Sequence, residues 1–168
     1  MGLHTAYETL ALRWAELCND TRLQDLPFKI ELNAYGVMEM SPASTRHGRF
    51  QARVAGELMH QLPQGTVVTE CAIATTEGIR VPDVVWASAA FVARHGDASP
   101  WPQAPELCIE VRSASNTNEE MAMKTAVYLA AGALEVWIVA VSGSIQVHTA
   151  QGPQAASRYP VSISLVPQ

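Results

Sequence analysis

Pro105-Glu-Leu-Cys-Ile-Glu-Val-Arg-Ser113 is the stretch on which the reading of this chain turns. In an extended segment successive side chains point to opposite faces. Leu107, Ile109 and Val111 therefore share one face, and Cys108, Glu110 and Arg112 share the other. The first face is apolar and suits a core. The second sets a carboxylate and a guanidinium side by side on a strand otherwise made for burial. Burying an unpaired charge is costly, so such groups pair, hold a metal or do chemistry. Pro82-Asp83 ends another apolar stretch and can bring a second acid to the same edge. Two acids and a cation make a hard-ion site with a charged assistant, the minimal equipment for cutting a phosphate ester.

Downstream of this strand, Thr117-Asn-Glu-Glu120 has capping-box spacing and opens a helix that Gly132 closes; Lys124 falls in its second turn. Leu134 to Val141 then reads as a buried strand, and Ile145 to Thr149 and Tyr159 to Val166 as two more. Upstream, Thr66 to Ala74 and Ile79 to Trp86 read as a hairpin around Thr76-Glu-Gly78, followed by a short helix over Ser88 to His95 and an irregular loop over Gly96 to Ala104. Further back, Thr45 to Leu62 repeats apolar residues at helical spacing and ends at Pro63 and Gly65. Phe28 to Asn33 and Val37 to Met40 form a hairpin around Asn33-Ala-Tyr-Gly36. Thr5-Ala-Tyr-Glu8 is spaced as a capping box for a first helix carrying Tyr7, Leu10, Ala11, Trp14, Leu17 and Cys18 at helical intervals. The order predicts a mixed α/β (α+β) fold around one sheet flanked by helices.

The 168 residues make a single domain over 1–168, with an N-terminal helical segment over 1–25. A net charge of −5 offers no general attraction for a polyanion, so nucleic-acid binding requires a local basic patch. Lys29 and Lys124 are the only lysines beside nine arginines. Cys18, Cys71 and Cys108 lie far apart without CxxC spacing, in apolar-patterned segments, and read as reduced core cysteines of a cytoplasmic protein. No run approaches a membrane span. Serine-elbow, phosphate-loop and dinucleotide fingerprints are absent, which removes the serine hydrolase, NTPase and Rossmann readings.

The ordered set Gly36-Val-Met-Glu-Met-Ser-Pro42, His47, Val81-Pro-Asp83, Glu110-Val-Arg-Ser113, Lys124-xxx-Tyr128 and Gly132-Ala-Leu-Glu-Val-Trp-Ile-Val139 resembles the Uma-two family of restriction endonucleases, within the PD-(D/E)XK nuclease superfamily. The likeness runs from about Phe28 to the last strand. It implies a restriction-endonuclease-like core and a Mg²⁺ site, with Mn²⁺ as a substitute, that hydrolyses DNA phosphodiesters. In the superfamily a lysine often stands two residues after the glutamate. That place is Arg112 here, and Lys124 matches the position to which the lysine has moved in this family. The chain also reads Glu110-Val-Arg-Ser-Ala-Ser115 where Glu-Val-Leu-Ser-Pro-Ser is usual, and Ala140-Val141 where Asp-Pro is usual.

On this reading Asp83 and Glu110 hold the metal, with the Val111 carbonyl as a third ligand, and Lys124 orients water or stabilises the transition state. Arg112 is always protonated and can only clamp a phosphate. Arg46, Arg49 and Arg53 recur at helical spacing and can meet a DNA backbone, with His47 beside them; solvated helix-face residues are the plainer explanation. Glu70 and Glu57 are weaker candidate ligands. Taken alone, Glu110 with Arg112 or Lys124 favours a structural ion pair, and the family pattern reverses that preference. The alternative is a catalytically idle nuclease-fold domain serving as a nucleic-acid-binding or protein-interaction module. Apolar sheet edges and the demands of two-strand cleavage also lead us to expect a homodimer.

Overall fold

A computed structural model of the chain describes residues 3–164, and the side chains from residue 6 onward. Helix α1 (Leu3–Asn19) leads into the hairpin β1 (Phe28–Leu32) and β2 (Met38–Pro42). Next come α2 (Thr45–Gln61), β3 (Gly65–Thr69), β4 (Ile73–Thr75), β5 (Gly78–Arg80), β6 (Val84–Ser88) and α3 (Ala89–His95). The chain continues through β7 (Leu107–Arg112), α4 (Asn118–Ala130), β8 (Glu135–Ala140), β9 (Ile145–Thr149) and β10 (Gly152–Gln154).

The strands form two sheets, where one was expected. A four-stranded sheet runs β2-β1-β5-β4, and a six-stranded sheet runs β10-β9-β8-β7-β6-β3. The six-stranded sheet is mixed: β7 and β8 are parallel, joined by α4, and the other neighbours are antiparallel. A parallel pair needs a crossover of this length, and a helix provides it. The two apolar stretches Thr66 to Ala74 and Ile79 to Trp86 each divide between the sheets. The first breaks where Glu70 turns to φ +53°, the second at Val81-Pro82-Asp83, where proline removes a ladder donor. Period-two apolar patterning says that a face is buried. It does not say against which sheet.

The expected strand over Tyr159 to Val166 is not formed in its described part, Tyr159 to Ser164. Residues 165 and 166 lie outside the described residues. Tyr159, Val161 and Ile163 alternate because they pack on the core, while Pro160 interrupts any ladder. Strand β10 was not foreseen, and α1 begins ahead of Thr5, so that residue lies inside the helix and does not cap it.

Both faces of the six-stranded sheet are covered. On one side Leu107, Ile109 and Val111 join Val54, Leu58 and Trp137 in a core closed by α2. On the other, Cys108 joins Val85, Phe91, Met121 and Tyr128 beneath α3 and α4. Of the cysteines expected in the core, Cys71 and Cys108 are buried, but Cys18 is exposed.

Candidate functional site

The site lies at the junction of the two sheets. The β6–β7 register runs Trp86↔Leu107, Val85↔Cys108 and Val84↔Ile109. One step further it sets Asp83 opposite Glu110, where directly opposed side chains are neighbours. The Val111 amide donates to Asp83 Oδ2 at 2.8 Å, which ties the acid to β7 just beyond the ladder. Both carboxylates are 3% exposed, so neither can be left without partners.

Glu110 is held by α4. The capping box forms as the sequence predicts, with Thr117 accepting from the Glu120 amide and Glu120 accepting from the Thr117 amide. Residues four apart share a helix face, and here Lys124 and Tyr128 both face the strand. Lys124 Nζ lies 3.1 Å from Glu110 Oε2, and the Tyr128 hydroxyl donates to Glu110 Oε1 at 2.7 Å. Tyr128 is fully buried and also a direct partner of the acid. Arg112, the nearest cation along the strand, points elsewhere: its Nη2 donates to Asn118 Oδ1 at 2.6 Å and faces the Asn116 carbonyl at 3.5 Å.

Asp83 is held from the other sheet. Lys29 on β1 places Nζ 2.6 Å from Asp83 Oδ1, and His47 Nε2 on α2 reaches the same oxygen at 3.1 Å. His47 is positioned by the helix start, where Ser44 accepts its amide at 3.1 Å. Glu31, on the same face of β1 as Lys29, is buried, accepts the Val81 amide at 2.7 Å and lies 3.5 Å from Arg80. It takes the Val81 donor where β5 stops pairing. Sequence reasoning passed over Lys29 and Glu31. The available signal was a strand with two charges on one face, one of them half of the chain's lysine.

The electrostatics follow from crowding. Burial pushes the Glu110 carboxyl up, and the Asp83 charge pushes it further against the pull of Lys29 and Lys124. Burial also opposes the Asp83 charge, but the hydrogen bond from His47 and the charge of Lys29 prevail and hold its carboxyl well below the usual range. Burial works against the Lys29 ammonium, yet Glu110, Asp83 and Glu70 keep it charged with a raised pKa. Lys124 behaves likewise, with burial outweighed chiefly by Glu110. His47 is raised mainly by its hydrogen bond to Asp83.

The other candidates are more peripheral. Arg46 and His47 border a cavity of about 460 Å³ with Phe50, Val111 and Arg112, and two of its lining residues, His47 and Val111, contact Asp83. Arg49 is exposed and Arg53 half-buried on the same helix. Glu70 is exposed and accepts from Gln51 Nε2 at 2.9 Å, while Glu57 accepts from Gln61. Among the described residues no group of three or more His, Cys, Asp and Glu stands ready to hold a metal ion. Two facing carboxylates nevertheless suit Mg²⁺, which takes one or two acid oxygens and keeps several waters.

A solved structure from Anabaena variabilis ATCC 29413, described as a putative nuclease belonging to DUF820, is similar to this chain with a TM-score of 0.64. Identity is 15%, and 82% of each chain is covered, so the likeness is one of fold. No curated protein matches the sequence. Residues 16–165 match the family described as "Uma2: Putative restriction endonuclease". The chain belongs to that family, and its two sheets flanked by helices are a restriction-endonuclease-like fold.

Proposed function

We propose that this protein is a Mg²⁺-dependent endonuclease that hydrolyses DNA phosphodiester bonds. The observation that carries the reading is the pair Asp83 and Glu110, opposed across two strands and buried, with Lys124 and Tyr128 addressing Glu110 from one helix face. Membership in a family described as restriction endonucleases supports the nuclease class. Asp83 and Glu110 would hold the ion, with the Val111 carbonyl beside them. When bound, Mg²⁺ supplies activated water and charge neutralisation at the phosphoryl oxygens. Lys124 keeps its proton in this setting and serves as a fixed positive charge for the developing oxyanion. Tyr128 fixes the Glu110 rotamer, and the Val111 amide fixes Asp83. His47 stands between Asp83 and the cavity bordered by Arg46 and Arg112, which gives the DNA backbone a cationic approach to the acids.

The assay is cleavage of supercoiled plasmid with Mg²⁺ or Mn²⁺, comparing wild type with Glu110→Ala and Asp83→Ala. Activity that needs the metal and is lost in both variants is expected. Cleavage that survives either substitution would refute the assignment.

One observation favours a second reading, an idle nuclease-fold module that binds nucleic acid or protein. Lys29 and Lys124 already pair with the two acids, as in a structural ion-pair network. An idle domain gives no Mg²⁺-dependent rise in melting temperature, whereas a working site gains stability by mass action. We further propose a cytoplasmic homodimer, with β2 as the pairing edge. Tyr35, Val37 and Met40 leave large apolar surface exposed there, and among the described residues no helix is long and apolar enough to cross a membrane.

A further inference from the structure

We infer that Lys29 is a movable counter-charge that stands in for the divalent ion at Asp83 and withdraws toward Glu70 when the ion enters. The inference rests on the metal-site reading above and assigns a positioning role to a residue outside it. Lys29 Nζ lies 2.6 Å from Asp83 Oδ1, the oxygen that His47 also reaches, and its side chain is 16% exposed. Lys124 stands in the same relation to Glu110. Two carboxylates and two ammonium groups sum to no net charge, so the buried site is balanced before any ion arrives. A dication added to that balance leaves a surplus of two positive charges, and the ammonium sharing its carboxylate oxygen is the group it repels most.

Lys29 has somewhere to go. Lys124 projects from the helix face that also carries Tyr128 and is tied to Glu110. Lys29 comes from the opposite sheet and borders a cleft of about 320 Å³ together with Trp14, Ile30, Glu70 and Val81. The apolar members accommodate the lysine stem, and Glu70 offers its ammonium a second carboxylate. One lysine can thus serve Asp83 in the empty site and Glu70 in the loaded one.

The test is Mn²⁺ binding measured by calorimetry on the full chain without nucleic acid, in wild type, Lys29→Met, Lys29→Arg and Glu70→Gln. Methionine keeps the stem and removes the charge, so Lys29→Met should bind Mn²⁺ about tenfold tighter or more, as expected when a like charge in contact is lifted. Lys29→Arg keeps the charge but not the freedom to change partner, so it should bind Mn²⁺ more weakly than wild type, and Glu70→Gln should bind more weakly because the withdrawn position is lost. Equal or weaker binding by Lys29→Met, while wild type binds, would overturn the role of Lys29 and leave the metal site standing. If Lys29→Met is poorly folded, unchanged affinity in Glu70→Gln overturns the withdrawal on its own. Absence of Mn²⁺ binding in every variant overturns both this inference and the metal-site reading.

Discussion

Tyr128→Phe isolates one hydrogen bond at the centre of the site. The hydroxyl donates to Glu110 Oε1 at 2.7 Å, Tyr128 is fully buried and Glu110 is 3% exposed. Phenylalanine keeps the ring and its packing, so no cavity opens beyond the lost oxygen. The carboxylate oxygen is left without a donor, in a structure where no buried side-chain nitrogen or oxygen among the described residues lacks a partner. A hydrogen bond to a charged group contributes about 1.5–3 kcal/mol. A loss of ~2 kcal/mol lowers the melting temperature of a chain of this length by about 4–8 °C. The size of the loss depends on pH with a definite sign. The folded-state pKa of Glu110 is raised, so its contribution is fully present below the unfolded value and is lost as pH rises through the folded value. The tyrosine bond favours the ionised carboxyl, and its removal raises Glu110 further. The variant should therefore trail wild type most at pH above that raised value, and the gap should narrow in acid. Urea and thermal unfolding of the metal-free proteins across pH measure this. Equal stability at every pH, or a gap that widens in acid, would refute the reasoning.

Gly78 at φ +105° would place a Cβ 2.1 Å from the Leu32 carbonyl, so Gly78→Ala should cost about 3 kcal/mol or more, read by urea unfolding. Lys124→Ala should keep metal affinity and lose most of the cleavage rate, whereas Arg112→Ala should chiefly raise KM. The opposite pattern returns the catalytic cation to the strand. Light scattering at micromolar concentration should give a dimer mass, and Val37→Lys with Met40→Lys on the β2 side should give a monomer; a monomeric wild type refutes that edge as an interface.

Much of the six-stranded sheet was legible because its signals are local. The alternation over Leu107 to Arg112 sorts residues correctly onto the two faces, since strand period does not depend on partners. The capping box at Thr117 sets the start of α4, and that start fixes which residues face β7 about two and three turns later. Lys124 near Glu110 follows from these two local facts and a short connection. Sheet membership was not legible. Thr66 to Ala74 and Ile79 to Trp86 carry the same apolar alternation on both sides of their breaks, and what divides them is a positive φ at Glu70 and a missing donor at Pro82. Both are tertiary choices that one residue type only permits.

The partner of Asp83 illustrates the same limit from the charge side. Proximity along the chain makes Arg112 the obvious cation for the acids, yet its guanidinium satisfies the entry to α4 through Asn118, and Lys29 arrives from 54 residues upstream of Asp83. Lys29 sits on a strand of the other sheet, so nothing in its own neighbourhood names its partner. What the sequence did contain was an inventory. The chain holds two lysines and sets both ammonium groups beside the two acids, while Arg80 pairs with Glu31 and Glu39 and Arg112 with Asn118. A compact ammonium can follow one carboxylate oxygen through a change of partner, whereas a planar guanidinium is committed to its fork geometry. A site that must exchange an internal cation for an external one at Asp83 has reason to use lysine there, which is why replacing Lys29 tests the metal site from the side that the motif does not include.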